Sequence, residues 1–234
     1  MENTIREYAA KYNSPEYFTE DPIVFPKRFV ELYKQGKATL QDVEIAGIIA
    51  AHLAWGRRKM IVRDCERAFE EMNQRPYEYV MAGKYRSDDT SLHRTVKWSE
   101  FARICDNLRN YYLEHDSIEP LTVEQIRAVI YGQKTDRHAA NKKINMFRRW
   151  MVRNDGIVDF GLWKNVSPKD LIIPLDVHVH RTALELGLSH RFSTDAKTAL
   201  EITQALLKIF PDDPCLGDFA LFGYGVNRGK SPNP

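Results

Sequence analysis

The segment from Thr39 to Gly56, TLQDVEIAGIIAAHLAWG, limits the possible folds more than any other part of the chain. A threonine followed by acidic residues is typical of a helix start, and a glycine is a common helix stop. From Ile45 to Trp55 the residues are almost wholly apolar, so this helix has no polar face to turn toward solvent. It is also shorter than the ~20 residues that cross a bilayer. The segment therefore predicts a core helix that other elements must surround.

The rest of the chain carries helical signals too. Apolar residues recur at helical spacing over 21–36, 57–73, 99–115, 119–132, 137–153, 176–188 and 194–210. The polar segment 84–97 predicts a loop, and no two segments alternate as paired strands do. We therefore predict an all-α fold, a bundle of about ten helices. The length suits a single compact helical unit, 1–234, with possible lobes over 38–135 and 136–234 and with 1–37 packing on the second.

Composition excludes several classes of protein. The chain is 43% hydrophobic and 28% charged, as globular domains are and disordered chains are not. Its first residues, MENTIREYAAKYNS, lack the apolar run of a secretory signal, so we expect a cytoplasmic protein without a membrane partner. Cys65, Cys105 and Cys215 are far apart and predict buried thiols rather than a disulfide framework or a zinc site. Because the net charge is only +2, any nucleic-acid surface must be a local patch.

The segment IIPLDVHVHR, Ile172 to Arg181, allows a strand, a metal site or a helix start. A strand would place His178 and His180 on one face, but Pro174 interrupts the alternation and good helix formers follow. A helix start makes Asp176 the N-cap, whose carboxylate accepts hydrogen bonds from backbone N–H groups. The two histidines then point to different sides, and no third ligand has a matching spacing. We favour the helix, with an apolar face formed by Val177, Leu184 and Leu188.

The stretch PLDVHVHRTALELGL resembles a segment of the helix-hairpin-helix base-excision DNA glycosylases, which include endonuclease III and the 8-oxoguanine glycosylases. The shared elements are Asp176, His178, Arg181 and the run Leu186–Leu188. Upstream, KKIN (Lys142–Asn145) is similar to the element that carries the nucleophile in bifunctional members. The preceding TDRHAAN lacks the family's hairpin glycines, and DFALFGYGV near the C-terminus is similar to a segment of the 8-oxoguanine glycosylases. The whole chain looks like a bacterial uncharacterised-domain family distantly related to these enzymes.

The resemblance implies a DNA glycosylase with AP lyase activity that flips an oxidised purine, such as 8-oxoguanine, out of the duplex and excises it. It implies Lys142 as the nucleophile that forms a Schiff base with the sugar, and Asp176 as the acid that stabilises the cationic sugar. It places Phe222 in a stack on the base and Asp218 at the base edge, with His178 also on the substrate side. The implied fold has an atypical hairpin. The implied partner is damaged double-stranded DNA at the nucleoid, bound by a monomer without metal or cofactor.

The cations of WGRRK have two interpretations. They could grip phosphates while Trp55 stacks on a base, or they could end a helix whose tryptophan lies in the core. Arg181 could likewise contact DNA or pair with Glu185 one helical turn later. The three cations of the first motif are Arg57, Arg58 and Lys59. Arg148 and Arg149 are expected on a solvated helical face.

Two other functions remain open from the residues alone. A helical nucleic-acid-binding module without catalysis needs the basic residues but neither Lys142 nor Asp176. A metal-dependent hydrolase would instead use His178 and His180. DNA binding that depends steeply on salt, without cleavage of any lesion, is the expected behaviour of the binding module. Stoichiometric metal is the expected property of the hydrolase.

Overall fold

The computed structural model describes residues 1–228 and divides the chain into two compact units. One unit is Phe18–Thr135, and the other combines Met1–Tyr17 with the chain from Asp136 onwards. Residues 1–17 group with the C-terminal part of the chain, and residues 18–37 group with 38–135. No helix in residues 1–228 is long and apolar enough to cross a membrane.

The unit Phe18–Thr135 is built on the predicted core helix, α3 (Leu40–Leu53). Its N-cap, Thr39, forms a capping box with Asp42, in which each side chain accepts a hydrogen bond from the other residue's backbone N–H. Every residue from Asp42 to Leu53 is buried, as a helix without a polar face requires. Three helices pack on it: α2 (Val24–Lys34), α4 (Arg58–Glu71) and α5 (Pro76–Ala82). The contact with α2 explains why residues 18–37 belong to this unit.

The remainder of this unit holds two more helical elements and one small sheet. α6 covers Trp98–Tyr112, and a short α7 (Val123–Gln125) continues as a π-helical turn over Ile126–Ile130. The strands β1 (Ser91–His93) and β2 (Val96–Lys97) form an antiparallel hairpin inside the segment that we predicted to be a loop. That prediction was wrong because Arg67 of α4 donates hydrogen bonds to the carbonyls of Leu92 and Ser91 and holds the hairpin in place.

The other unit contains five α-helices within the described residues. They are α1 (Glu2–Tyr12), α8 (Lys142–Val152), α9 (Val177–Glu185), α10 (Ala196–Ile209) and α11 (Leu216–Arg228). α11 contacts both α1 and α9. The helix that we predicted from residue 137 begins only at Lys142, because Asn141 takes a left-handed backbone conformation with φ 49°. The all-α prediction is confirmed, with the hairpin as a small addition.

Candidate functional site

Lys142 and Asp176 are brought together by the starts of two helices. Lys142 is the first residue of α8, and Asp176 is the N-cap of α9. One carboxylate oxygen of Asp176, Oδ1, accepts hydrogen bonds from the backbone N–H groups of His178 and Val179, both at 2.9 Å. The other oxygen, Oδ2, lies 3.1 Å from Nζ of Lys142. The helix thus fixes the carboxylate through one oxygen and leaves the second for the lysine.

The pair is partly open to solvent and electrostatically stable. The side chains of Lys142 and Asp176 are 33% and 27% exposed, so molecules in solution can reach both. Burial alone would raise the pKa of Asp176, but the charge of Lys142 and the backbone N–H groups of Val179 and His178 bring it below its ordinary value. Asp176 is therefore ionised at neutral pH and held in one orientation.

Asp218 lies near the start of α11, close enough to Asp176 for the two negative charges to interact. It is 6% exposed, and its Oδ2 lies 2.6 Å from Nη1 of Arg149. Burial raises the pKa of Asp218 to about 6, Arg149 opposes that rise, and the negative charge of Asp176 adds to it. The expected solvated position of Arg149 is wrong, because Arg149 is buried and serves as the counter-ion of Asp218. Arg148, its neighbour in α8, is partly exposed.

A buried ion network continues from Arg149. Its Nε lies 3.3 Å from Asp159, which also accepts a hydrogen bond from Arg153 one turn along α8. Arg153 in turn pairs with Asp155 and Asp213 at 2.9 Å each. Both guanidinium groups lie over the ring of Phe219, at 4.7 Å and 5.0 Å from its centre; they belong to Arg149 and Arg153 respectively. The network ties α8 to α11 and was not predicted from the sequence.

Phe222 lies one helical turn after Asp218 on α11. It is partly exposed and packs edge to face on Tyr12 of α1, with ring centres 6.2 Å apart. Tyr12 itself is buried and stacks on Tyr8. Gly223 makes this packing possible, because any Cβ at that position would overlap the ring of Tyr12. An aromatic cluster from α1, which we did not predict, thus supports the residue expected to stack on a base.

The two histidines of α9 have different environments. His178 is exposed beside Asp176, whereas His180 is buried and uses both ring nitrogens. Its Nε2 lies 2.7 Å from the carbonyl of Arg191, and its Nδ1 lies 3.0 Å from the hydroxyl of Thr194. The histidines do not form a ligand pair, and no group of three potential metal ligands occurs among residues 1–228.

The first residue of α9, Val177, does not lie where we predicted it. Val177 is 65% exposed, so it does not share the buried face with Leu188, because the N-cap turns the first helical residue outward. Arg181 is exposed, as is Glu185 one helical turn later. Arg181 therefore projects from the same helix that holds Asp176, and its charge faces solvent.

The remaining predicted residues lie in the unit Phe18–Thr135. Arg57 is the N-cap of α4, and the cations that follow occupy its first turn, so they begin a helix rather than end one. The interpretation as a favourable C-terminal charge cluster is therefore wrong. Trp55 is partly exposed and carries the guanidinium of Arg94 over its ring at 4.3 Å. All three cations are exposed: Arg57, Arg58 and Lys59.

One protein family matches the chain. The family model described as "Protein of unknown function (DUF2400)" matches residues 21–135 and 123–227, which together cover most of both compact units. No curated protein and no solved structure matches the chain. The chain belongs to the DUF2400 family.

Proposed function

We propose that this protein is a DNA glycosylase with AP lyase activity. The observation that carries the proposal is the Lys142–Asp176 pair, in which an amine and an ionised carboxylate lie 3.1 Å apart at two helix starts, within reach of solvent. A lysine can attack a carbon at which a bond is breaking, and a carboxylate can stabilise the positive charge that develops there. The resemblance to the helix-hairpin-helix glycosylases identifies that carbon as C1′ of a damaged nucleotide.

In the proposed reaction the neutral amine of Lys142 attacks C1′ as the C1′–N bond to the base breaks. The bonding electrons leave with the base, which takes up a proton, and Asp176 stabilises the cationic sugar. The attached nitrogen then loses a proton, and its electron pair forms the C1′=N bond as the C1′–O4′ bond breaks. The electrons of that bond leave on O4′, which takes up a proton from water, and the product is a Schiff base between Lys142 and C1′. Loss of a proton from C2′ then expels the 3′-phosphate and nicks the strand. The ionised state of Asp176 supports its part as a charge stabiliser rather than as a proton donor.

The surrounding residues are assigned to the substrate. Phe222 is partly exposed and supported by Tyr12, which suits stacking on an extruded base. Asp218 has one oxygen committed to Arg149, so any contact with the base edge would use the other oxygen. We assign an oxidised purine of the 8-oxoguanine type as substrate. The partner is damaged duplex DNA at the nucleoid, bound by a monomer. His178 and Arg181 flank Asp176 on the exposed side of α9.

Borohydride trapping tests this proposal. The full-length protein is incubated with duplex oligonucleotides that carry 8-oxoguanine, an abasic site or no lesion, and sodium borohydride reduces any Schiff base to a stable adduct. We expect an adduct with the damaged duplexes that disappears in Lys142→Ala. Lys197→Ala is the matched control, because Lys197 is an exposed lysine in the first turn of α10. Trapping by Lys142→Ala, or no trapping by the wild-type protein on any lesion, contradicts the lysine mechanism.

Asp176→Asn tests the carboxylate separately. Asparagine caps a helix as well as aspartate does, so α9 is expected to remain folded. We expect base excision to fall by about 10²–10⁴-fold, the range for a positioned catalytic group. Excision at the wild-type rate would remove Asp176 from the reaction.

A binding module without catalysis is the second candidate. It is favoured by the closed ion pair itself, since a lysine paired with a carboxylate at 3.1 Å must be released before it can attack. Duplex binding without excision or trapping across the lesion panel would establish this function instead.

A further inference from the structure

The unit Phe18–Thr135 presents a cluster of cations around one partly exposed tryptophan, Trp55. Arg57 to Lys59 follow this tryptophan after Gly56, and Arg63 lies one helical turn beyond Lys59 on α4. Arg94, from the turn of the hairpin, lies over the tryptophan ring. We call this cluster the basic patch; its exposed cations are Arg57, Arg58, Lys59, Arg63 and Arg94.

Both the backbone and the side chain of Arg94 have a restricted conformation. Its backbone φ is 53°, in the left-handed region that residues with a side chain rarely adopt. Its guanidinium lies 4.3 Å from the centre of the Trp55 ring. A Cβ built at Gly56 would come within 2.6 Å of its Nη1, so Gly56 leaves room for the guanidinium. Residues that the surrounding structure holds in rarely populated backbone conformations are common at functional sites.

His93, which precedes Arg94 in the hairpin, contacts both α4 and the backbone of Trp55. It is fully buried, with Nδ1 2.8 Å from Oδ2 of Asp64 and Nε2 2.9 Å from the carbonyl oxygen of Trp55. Each ring nitrogen thus lies within hydrogen-bonding distance of an oxygen, one on α4 and one at Trp55. One side chain thereby joins the hairpin, helix α4 and the segment that begins the patch. Buried hydrogen bonds therefore hold the backbone segments of the patch together.

Few negative charges offset the patch. The sequence has no acidic residue between Glu44 and Asp64. Asp64 is buried and accepts hydrogen bonds from His93 and Arg63, so within the patch it is paired with Arg63. The acids at the start of the hairpin are also engaged, Asp88 by Arg86 and Asp89 by Ser99. Arg57 provides no side-chain cap, so the first backbone N–H groups of α4 add partial positive charge.

We propose that the basic patch binds the phosphodiester backbone of nucleic acid, with Arg94 as a contact residue. A guanidinium stacked on an indole keeps its N–H edge available for phosphate oxygens, a geometry that arginine supports and lysine does not. An aromatic ring among phosphate-binding cations is typical of nucleic-acid surfaces. This inference deepens the proposed function and rests on it for the choice of duplex DNA as the partner. It does not depend on Lys142 or Asp176.

Binding of the full-length protein to an undamaged 20-base-pair fluorescent duplex tests the patch. Anisotropy is measured from about 50 to 200 mM salt for the wild type, for Arg57→Gln/Lys59→Gln/Arg94→Gln and for Arg94→Lys. We expect the triple variant to bind at least tenfold more weakly at 50 mM salt. The slope of log Kd against log salt should fall by about 2–3, since each lost phosphate contact removes about 0.9. Arg94→Lys keeps the charge and should recover the slope but only part of the affinity.

The control variant removes three exposed lysines of the same unit, Lys37, Lys84 and Lys134, by substitution with glutamine. This control variant has the same net charge as the patch variant. If it lost as much affinity for the duplex, net charge alone would explain the effect and the proposal would be overturned. Wild-type protein that fails to bind the duplex at 50 mM salt would also overturn it. Binding to vesicles of phosphatidylcholine and phosphatidylserine is measured as well. A triple variant that loses binding to these vesicles but not to the duplex would also overturn the proposal. The wild type could bind the duplex through the patch in a salt-dependent way yet form no borohydride adduct with any damaged duplex. That result would support the proposal for the patch and refute only the proposed glycosylase activity.

Discussion

Arg149→Met is the substitution that most directly tests how the candidate site is held. Arg149 is 6% exposed and contacts two carboxylates, Asp218 at 2.6 Å and Asp159 at 3.3 Å. Methionine is close to the arginine stem in length and can keep the packing on Phe219. Asp159 retains Arg153, whereas Asp218 loses its only ion-pair partner among the described residues. The change therefore isolates one buried carboxylate.

The magnitude follows from the cost of an orphaned charge. Removing one partner of a buried ion pair costs about 3–5 kcal/mol, and the retained packing favours the lower end of that range. Since domains are stable by about 5–15 kcal/mol, the loss is large enough to measure. In Arg149→Met/Asp218→Asn the orphaned charge is gone, and we expect about half of the loss to be recovered. Arg148→Met, one residue earlier and partly exposed, should change the free energy of unfolding by less than about 1 kcal/mol.

The loss should also depend on pH. Arg149 lowers the pKa of Asp218, which burial raises to about 6, so without Arg149 the pKa rises further. A carboxyl whose folded pKa lies above its unfolded value binds a proton first in the folded state, and the folded state gains stability as pH falls through that pKa. The penalty of Arg149→Met should therefore be larger at pH 8 than at pH 5.5, by about 1.4 kcal/mol for each unit of further rise.

Urea unfolding at 25 °C, followed by tryptophan fluorescence at both pH values, measures these differences. Trp150 and Trp163 lie in the same unit as Arg149 and are buried, so they report on that unit. A free energy of unfolding for Arg149→Met within 0.5 kcal/mol of the wild type at pH 8 would refute the argument, where about 0.5 is the usual effect of a surface substitution. A penalty that grows toward pH 5.5 would refute the assignment of the orphaned charge to Asp218.

Two further predictions concern residues near the site. Gly223→Ala should destabilise the fold by about 1–3 kcal/mol in urea unfolding, because the added methyl overlaps the buried ring of Tyr12; a neutral effect would show that α1 moves away at no cost. Asp176→Asn keeps the cap but loses the ion pair with Lys142, so at pH 7 it should be less stable by up to about 1 kcal/mol. Since the pKa of Asp176 is below its ordinary value, this difference should begin to shrink as pH falls below about 4 and should be lost as pH falls through that lowered pKa, and a constant difference would contradict it.

The fold was predictable where local signals decide it. Thr39 and Asp176 are both N-caps as their sequence context indicates, and the apolar run of α3 is buried throughout. Prediction failed where a distant residue decides. The hairpin 91–97 exists because Arg67 holds its carbonyls, and α8 starts late because Asn141 adopts a left-handed conformation. Neither cause shows in hydrophobic periodicity.

The candidate site was predictable only in the two residues of its ion pair, Lys142 and Asp176. The resemblance identified Lys142 and Asp176, and the structure places them in contact. The resemblance did not indicate the buried ion pair between Arg149 and Asp218. In the sequence Arg149 is indistinguishable from a surface cation, because its partner lies on α11, which is distant along the chain. Arg94 was missed for a similar reason, since it meets Trp55 only through the hairpin. In both cases the useful signal is an arginine whose counter-charge or aromatic partner lies on another element.

The position of Lys142 at a helix start bears on how the proposed reaction would begin. The N-terminus of a helix carries partial positive charge, which favours the carboxylate of Asp176 at the start of α9 and disfavours an ammonium at the start of α8. In the closed pair the carboxylate compensates the ammonium. Because the helix holds Oδ1 of Asp176, a cationic sugar that develops beside Oδ2 would compete with Lys142 for that one oxygen and weaken the ion pair. The same contact that holds Lys142 inactive without substrate would release it when a nucleotide with a breaking C1′–N bond occupies the site.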